Sequence, residues 1–334
     1  MTSQGGGLLI KKKKPMDHNQ KCPICKSQVY FLGHGIIAPW IRKLQNQKIF
    51  QPTDLLECQT CFFIFFSYRY SEDEIAKIYS KYRSSDYFNA RHSYEFWYTS
   101  ATNSHNLNLE TIKQRKHLIA KYLKKAGIEL DDLTNSTVDF AGDQGQFIPE
   151  IPGKKFLVDL SATAQFINGI SIVNDLDQVP HPIDLIISQH FLEHVESPID
   201  FLKMFMNHIG KKIATHGGGS GGKTPIIFLE IPMDHYKVSQ FARTRTYKNY
   251  LKFLINHKTL FIFVDFLSGL SRQYLGRLPF FGIIKQAEHI NYFTTPTINY
   301  LSNDLKLRVL LSKDVTYRAG RIKFKSKIVL LQNS

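Results

Sequence analysis

The chain predicts an α/β protein: a doubly wound parallel sheet preceded by a small metal-binding unit. Two observations carry this. From Thr137 onward, short apolar strands alternate with helical segments, and buried strands joined by helices form a parallel sheet. Ahead of that region, all four cysteines fall into two C-x-x-C pairs, Cys22 with Cys25 in "CPIC" and Cys58 with Cys61 in "CQTC". The 334 residues are 43% apolar, with 25 Phe and 16 Tyr. That is enough for a packed core, in one large domain and a small one.

The formal net charge of +15 favours anionic partners: nucleic acid, an acidic membrane face, or phosphorylated or carboxylated substrates. Residues 1–20 read as a disordered basic tail. Their lysines follow a very short apolar stretch, the reverse of a secretory signal. The most apolar window, "TLFIFVDFLSGL" (259–270), is short and interrupted by Asp265, so no membrane span is expected. The expected location is cytoplasmic and reducing.

Two residues between thiolates let both sulfurs face one centre, and two such knuckles make a closed tetrahedral S4 site. Cys22, Cys25, Cys58 and Cys61 are therefore expected to hold a structural zinc, iron being the minor alternative by ligand softness. Disulfides or a redox pair are the competing reading; a reducing compartment and the absence of a thioredoxin-like context count against it.

The elements follow in order. "CFFIFFSYRY" is strand-like. "SEDEIAKIYSKY" starts a helix, with Ser71 and Glu74 as a capping box. "NLETIKQRKHLIAKYLKKAG" is a second helix that stops at Gly127. "TVDFAG", "KFLVDLS", "ISIVND", "IDLIISQH" and "PIIFLEIP" are five strands. "QFIPEI" reads as a helix or turn, "ATAQFING" as helix-like and "SPIDFLKMFMNHIGKK" as a helix. "LRVLLSKDVTY" and "SKIVLLQ" add two last strands.

From Gly217, "GGGSGGKT" matches the phosphate-loop pattern of nucleotide triphosphatases. That loop needs a strand before it and a helix after it. Here a helix precedes and a strand follows, so the segment reads as a flexible connector.

The first strand of the series ends in "VDFAGDQGQF": Asp139 closes it, and a tight turn carries Gly142 and Gly145. Twenty residues on, the second strand ends in Asp159. This is the Rossmann layout, in which small residues admit a ligand to the backbone and an acid at the second strand tip binds ribose. Asp143 within the turn would repel a pyrophosphate. S-adenosylmethionine (SAM), with a sulfonium cation and no phosphate, suits the turn better than NAD.

The cysteine pairs, "DFAGDQGQFIP", "DLIISQHFLEHVESP", "IFLEIP" and "EHINYF" together resemble class I SAM-dependent methyltransferases. They look most like the branch with an N-terminal four-cysteine zinc motif, which includes sugar C-methyltransferases and methyltransferases of polysaccharide clusters. The resemblance implies that the turn with Asp139, Ala141, Gly142 and Gly145 wraps the methionine part and that Asp159 holds the ribose. It further implies that Asp175 and Leu176 flank the adenine and that Ser188, Gln189 and His190 line the cleft. Two positions depart from the pattern. Ala141 replaces the usual first glycine, and Gln286 stands where C-methylating members carry a general-base tyrosine.

In "AEHINYF", His289 is the expected proton acceptor, oriented by Glu288, and pocket shaping is the competing role. Glu193 and His194 reach the same cleft or pack the next helix. "YFNARHSYEFWY" (87–98) resembles the stretch that folds over the cofactor, with core packing as the alternative.

The expected domains are a zinc-binding unit at 21–68, a helical connector over the cofactor at 69–135, and the SAM-binding Rossmann-like domain at 136–334. The last carries a basic aromatic insertion at 234–285 that serves as acceptor lid or as a membrane-docking element. The expected function is methyl transfer to a sugar, nucleotide-sugar or other small anionic metabolite in glycan or polysaccharide biosynthesis. RNA methylation, a non-catalytic zinc-bearing binding protein with a decayed Rossmann domain, and an NAD enzyme remain open alternatives.

Overall fold

The computed structural model describes residues 20–80, 82–159, 168–215, 224–233, 237–319 and 322–333. The tail, the helix read from "ATAQFING" and the 217–222 connector lie largely or wholly outside these residues.

The N-terminal unit is built on β1 (Val29–Ile37), α1 (Pro39–Leu44), β2 (Pro52–Cys58) and β3 (Ile64–Phe66). β1, β2 and β3 form an antiparallel meander. Four helices follow: α2 (Glu72–Tyr79), α3 (Ser85–His92), α4 (Ser100–Asn103) and α5 (Leu109–Lys125). The capping box read from Ser71 and Glu74 is present at α2. Gly127, just past α5, has φ +79°, the left-handed geometry that stops a helix.

The main sheet contains β4 (Ser136–Phe140), β5 (Lys154–Val158), β6 (Ile170–Val173) and β7 (Ile183–Gln189), then α6 (Pro198–Thr215) and β8 (Ile226–Pro232). Two helices, α7 (Arg245–Asn256) and α8 (Lys258–Leu275), lead to the short β9 (Lys285–Gln286) and β10 (Asn291–Tyr292). α9 (Thr295–Asp304), β11 (Leu307–Ala319) and β12 (Ile322–Asn333) complete the chain order. The seven-stranded order is β11-β12-β8-β7-β4-β5-β6. β8, β7, β4, β5 and β6 are parallel, and β12 runs antiparallel to both β8 and β11. This is the α/β, Rossmann-like doubly wound architecture expected of the class I methyltransferase type.

The apolar runs bury both faces of this sheet because alternate residues point opposite ways. Ile227, Leu229, Val329 and Leu331 face one core, shared with α6, α9 and the cysteine knuckles. Phe228, Leu185, Ile187 and Leu330 face the other, covered by Leu118, Ile119, Tyr122 and Leu123 of α5.

Two contacts cross the expected domain boundaries. The 21–68 unit is not contiguous: β9 pairs with β1 and β10 with β3, so residues near 285–292 complete its five-stranded sheet. The 234–285 insertion packs on that sheet, with Tyr247, Leu251, Leu254 and Phe261 against Leu32, Ile36 and Leu55. Strand periodicity could not show this, because β9 and β10 have two residues each and carry no period.

Lys285 ties connector, insertion and N-terminal sheet together. Its ammonium donates to Glu95 at 2.6 Å and pairs with Asp265 of α8, and all three side chains are about nine-tenths buried or more. Burial works against the Glu95 charge, yet Lys285 and Arg91 hold its carboxyl down at about 2. Lys285→Met would leave the buried Asp265 carboxylate without its lysine and Glu95 with Arg91 alone of its two cations, so denaturant unfolding should show a loss of about 3–5 kcal/mol. Because its folded pKa is depressed, the Glu95 contribution is complete above its unfolded pKa of ~4.3. It is lost as pH falls toward 2, and the variant should show a weaker acid dependence over that window.

Candidate functional site

The strand order reverses between β4 and β7, each a neighbour of the other but wound outward to opposite sides. The carboxyl ends of strands at such a switch point form the ligand crevice of an open α/β sheet. Asp139 is the penultimate residue of β4, Asp159 follows β5, and Gln189 closes β7 with His190 just after it. Glu230 stands near the end of β8.

The turn after β4 is held in unusual backbone geometry. Ala141 and Asp143 have φ of +58° and +64°, and Gly145 has +72°. Gly142 lies directly on the Asp139 carboxyl: a Cβ built there would sit 2.1 Å from its Cγ and Oδ2. No other residue fits that position without moving the acid. The missing first glycine at Ala141 is thus accommodated by a left-handed alanine, at a cost of order 1–3 kcal/mol.

Asp139 is fully buried, and neither of its oxygens has a hydrogen-bond partner. Burial, with Asp159 and Asp143 adding to it and Arg115 opposing, pushes its carboxyl up to about 7. Ser188 Oγ and Gln189 Oε1 are likewise buried without partners. Unsatisfied buried acceptors are rare and need a reason; a bound cation with hydrogen-bond donors supplies one here. The residues therefore fit SAM, whose sulfonium and ammonium would sit against these acids.

Glu230 is compensated where Asp139 is not. His190 Nε2 lies 3.1 Å from its Oε1, Tyr317 donates at 2.6 Å, Gln189 donates at 2.7 Å and Arg115 at 3.4 Å. Burial opposes the charge, but His190 and Arg115 hold Glu230 well below the usual carboxylate range. Burial also works against a charged His190, yet Glu230 above all, then Glu193, raises it to about 9. His190 is an imidazolium at neutral pH and cannot accept a proton from a substrate.

A second cluster adjoins the cleft through His190. Glu193, with 0% exposure, lies 3.5 Å from His190 Nδ1 and 3.8 Å from both His194 Nε2 and His289 Nε2. His194 and His289 meet edge to face at 4.8 Å between ring centres. His194 Nδ1 lies 3.0 Å from the Glu288 carbonyl oxygen, a contact that assigns the donor hydrogen to Nδ1 and leaves Nε2 facing the cluster. The loop carrying Glu193 is stitched to the segment carrying His289. Ile290 N and Asn291 N donate to the Glu193 carbonyl at 2.9 and 3.1 Å. Asn291 Nδ2 donates to the Leu192 and Val195 carbonyls, and Arg69 donates to the Val195 and Glu196 carbonyls.

The structure places several of the expected site residues as follows. Glu193 places a carboxylate oxygen 3.8 Å from His289 Nε2, while Glu288 accepts from Tyr87 and pairs with Arg91 at 3.4 Å. Leu176 turns into the core at 3% exposure, and the Asp175 carboxylate caps a short turn by accepting from Asp177 N. In the 87–98 stretch Tyr87, Ala90, Glu95 and Tyr98 are buried, while Asn89, His92 and Phe96 are exposed. Arg83, just ahead of it, pairs with Asp143 at 3.6 Å and brings the connector onto the glycine turn. Gln286 is fully buried with both ends of its amide engaged, by Thr53 Oγ1 and by the Tyr68 carbonyl.

The reading from sequence assigned no role to Glu230, Arg115 or Arg83. Glu230 had a signal, a lone acid in the apolar run "IIFLEIP"; the two arginines had none.

The four cysteines converge as expected. Cys22 and Cys61 sulfurs are 3.6 Å apart, Cys25 and Cys58 are 3.2 Å apart, and all four lie within 4.8 Å of one another. Tetrahedral zinc with bonds of about 2.3 Å needs sulfurs ~3.8 Å apart. The residue after each pair, Lys26 and Phe62, has a positive φ, +59° and +58°, which turns the chain back over the knuckle. Thr60 N and Cys61 N point at Cys58 Sγ at 3.3 and 3.4 Å. The set is closed and suits a structural zinc.

No protein-family model and no curated protein matches the chain. Among solved structures it is similar to the Burkholderia thailandensis 1,6-didemethyltoxoflavin-N1-methyltransferase with S-adenosylhomocysteine, at 10% identity over 84% of this chain and 96% of that one, TM-score 0.41. It is also similar to magnesium protoporphyrin IX methyltransferase from Synechocystis PCC 6803 with SAM, at 12% identity over 77% and 95%, TM-score 0.38. The plantazolicin methyltransferase BpumL with S-adenosylhomocysteine shows 11% identity over 70% and 89%, TM-score 0.35. Likenesses this distant decide nothing about the activity of this chain.

Two outcomes are expected. Cys22→Ser or Cys61→Ser should lose about one zinc per chain by elemental analysis and lower the melting temperature; an unchanged melting temperature in a metal-free preparation would contradict the site. For Asp139, the folded pKa is raised, so its contribution to stability is complete below ~3.9 and is lost as pH rises through about 7. Asp139→Asn should therefore raise the melting temperature of the ligand-free protein at pH 8 and not at pH 4, while weakening SAM binding by calorimetry.

Proposed function

We propose that this protein is a SAM-dependent methyltransferase that acts on a small anionic acceptor, a sugar or nucleotide-sugar being the favoured class, in glycan or polysaccharide biosynthesis. The observation that carries the reading is the uncompensated, fully buried Asp139 carboxylate under a tight turn at the switch point. A cationic adenosyl donor supplies what that acid lacks. Asp139, Gly142 and Gly145 would hold the methionine part and Asp159 the ribose, with Ser188, Gln189 and His190 along the cleft.

Proton removal falls to the histidine pair. His190 is excluded by its charge, whereas His194 and His289 each present a ring nitrogen to a buried carboxylate able to stabilise an imidazolium. The tyrosine that C-methylating relatives carry is replaced by the buried, engaged Gln286, which disfavours keto-sugar C-methylation. A tyrosine still reaches the cluster from α2: Tyr79 lies 6.0 Å from the His194 ring, and its hydroxyl is buried with no partner. Burial, then Glu288, keeps that phenol protonated, so Tyr79 would donate to the acceptor and not act as base.

SAM and a panel of nucleotide-sugars and sugar phosphates, incubated with the protein and read by mass spectrometry, should show the gain of one methyl group on one of them. His289→Ala should lower turnover by about 10²–10⁴-fold with SAM affinity retained. Absence of SAM binding in calorimetry would remove the whole assignment.

A further inference from the structure

α8 is apolar on two sides, and only one of them is covered. Phe261, Val264, Asp265 and Ser268 face inward. On the outer side, Leu260, Phe263, Leu267, Leu270 and Tyr274 recur at helical spacing, with Leu260, Phe263 and Tyr274 exposed by 41, 55 and 77%. A helix of this kind is normally buried all round. Phe253, Leu275 and Phe280 extend the same hairpin, so six of the thirteen large exposed apolar residues among those described lie between positions 253 and 280.

The charge of the hairpin is one-sided. Between Lys237 and Ile284 the sequence has eight Lys or Arg residues and one acid, Asp265, which is buried and paired with Lys285. Lys237, Arg245, Lys248, Lys252, Lys258, Arg272 and Arg277 are all exposed. α7 and α8 meet at a bend of 120°, and no single helix among the described residues is long and apolar enough to cross a membrane. The geometry suits lying on a bilayer.

We propose that the α7–α8 hairpin docks this protein on an anionic lipid surface, with the outer stripe of α8 among the acyl chains near the headgroups and the lysines and arginines on the phosphates. A second copy of the chain is the weaker occupant. Docking hairpin to hairpin would set two groups of cations together with no exposed acid in either to offset them. The proposal does not depend on methyl transfer: the hairpin packs on the N-terminal sheet, and none of its exposed residues belongs to the cofactor cleft.

The test is flotation of the full chain with vesicles of phosphatidylcholine alone and of phosphatidylcholine mixed with phosphatidylglycerol. The protein should float only with the mixed vesicles, and less so as salt is raised. Lys248→Gln and Lys252→Gln should each lower the partition coefficient by roughly fivefold. Phe263→Gln with Tyr274→Gln, both at exposed positions, should abolish flotation while the melting temperature is retained. Equal recovery with neutral vesicles, absence of flotation with either, or self-association that the Phe263→Gln, Tyr274→Gln pair abolishes would each overturn the proposal.

Discussion

The structure depends on one short segment, 285–292, which ties the N-terminal sheet to the loop that leaves the main sheet after β7. Its two strands complete the N-terminal sheet, while the amides of Ile290 and Asn291 bond the Glu193 carbonyl in the loop after β7. Arg69 and Asn291 bond the Leu192, Val195 and Glu196 carbonyls of that loop. The result is a fixed seam, and the histidine cluster sits in it. A backbone hydrogen bond contributes only about 1 kcal/mol net, but leaving these buried groups unmade would cost more, so the seam tolerates little displacement.

The electrostatics of the crevice divide into a satisfied part and an unsatisfied one. Glu230 is surrounded by Arg115, His190, Gln189 and Tyr317, and this network sets the rim of β7 and β8 before any ligand arrives. Asp139, across the switch point, has only distant compensation. A site that leaves one acid bare beside a completed ion network is organised for a cation at one place. The same logic sorts the histidines: His190 is held charged by two acids and serves the network, whereas His194 and His289 both face Glu193, the arrangement on which the proposed proton transfer rests.

The buried chain from Glu288 through Tyr87, Arg91 and Glu95 to Lys285 and Asp265 connects this seam to α8. An insertion that reads as a separate lid is thereby joined by ion pairs to the wall of the candidate active site. Packing follows the same route, through Tyr94 against Phe261 and Phe266 against Phe96 and Trp97.

The parallel sheet was legible in the apolar runs, because strands buried on both faces carry no polar alternation and stand out between helices. The four-cysteine cluster was legible because thiolate pairs at C-x-x-C spacing can close on one centre from local backbone geometry alone. The glycine turn and its two strand-tip acids were legible for the same reason: each is a local requirement written within a few residues. What the sequence could not determine is which distant groups meet. Glu193 faces His289 across nearly a hundred residues, Arg115 reaches Glu230 across a similar span, and Glu288 turns away to Tyr87. Those pairings are set by how helices and strands pack around a shared core, where burial and charge compensation select partners without regard to position along the chain.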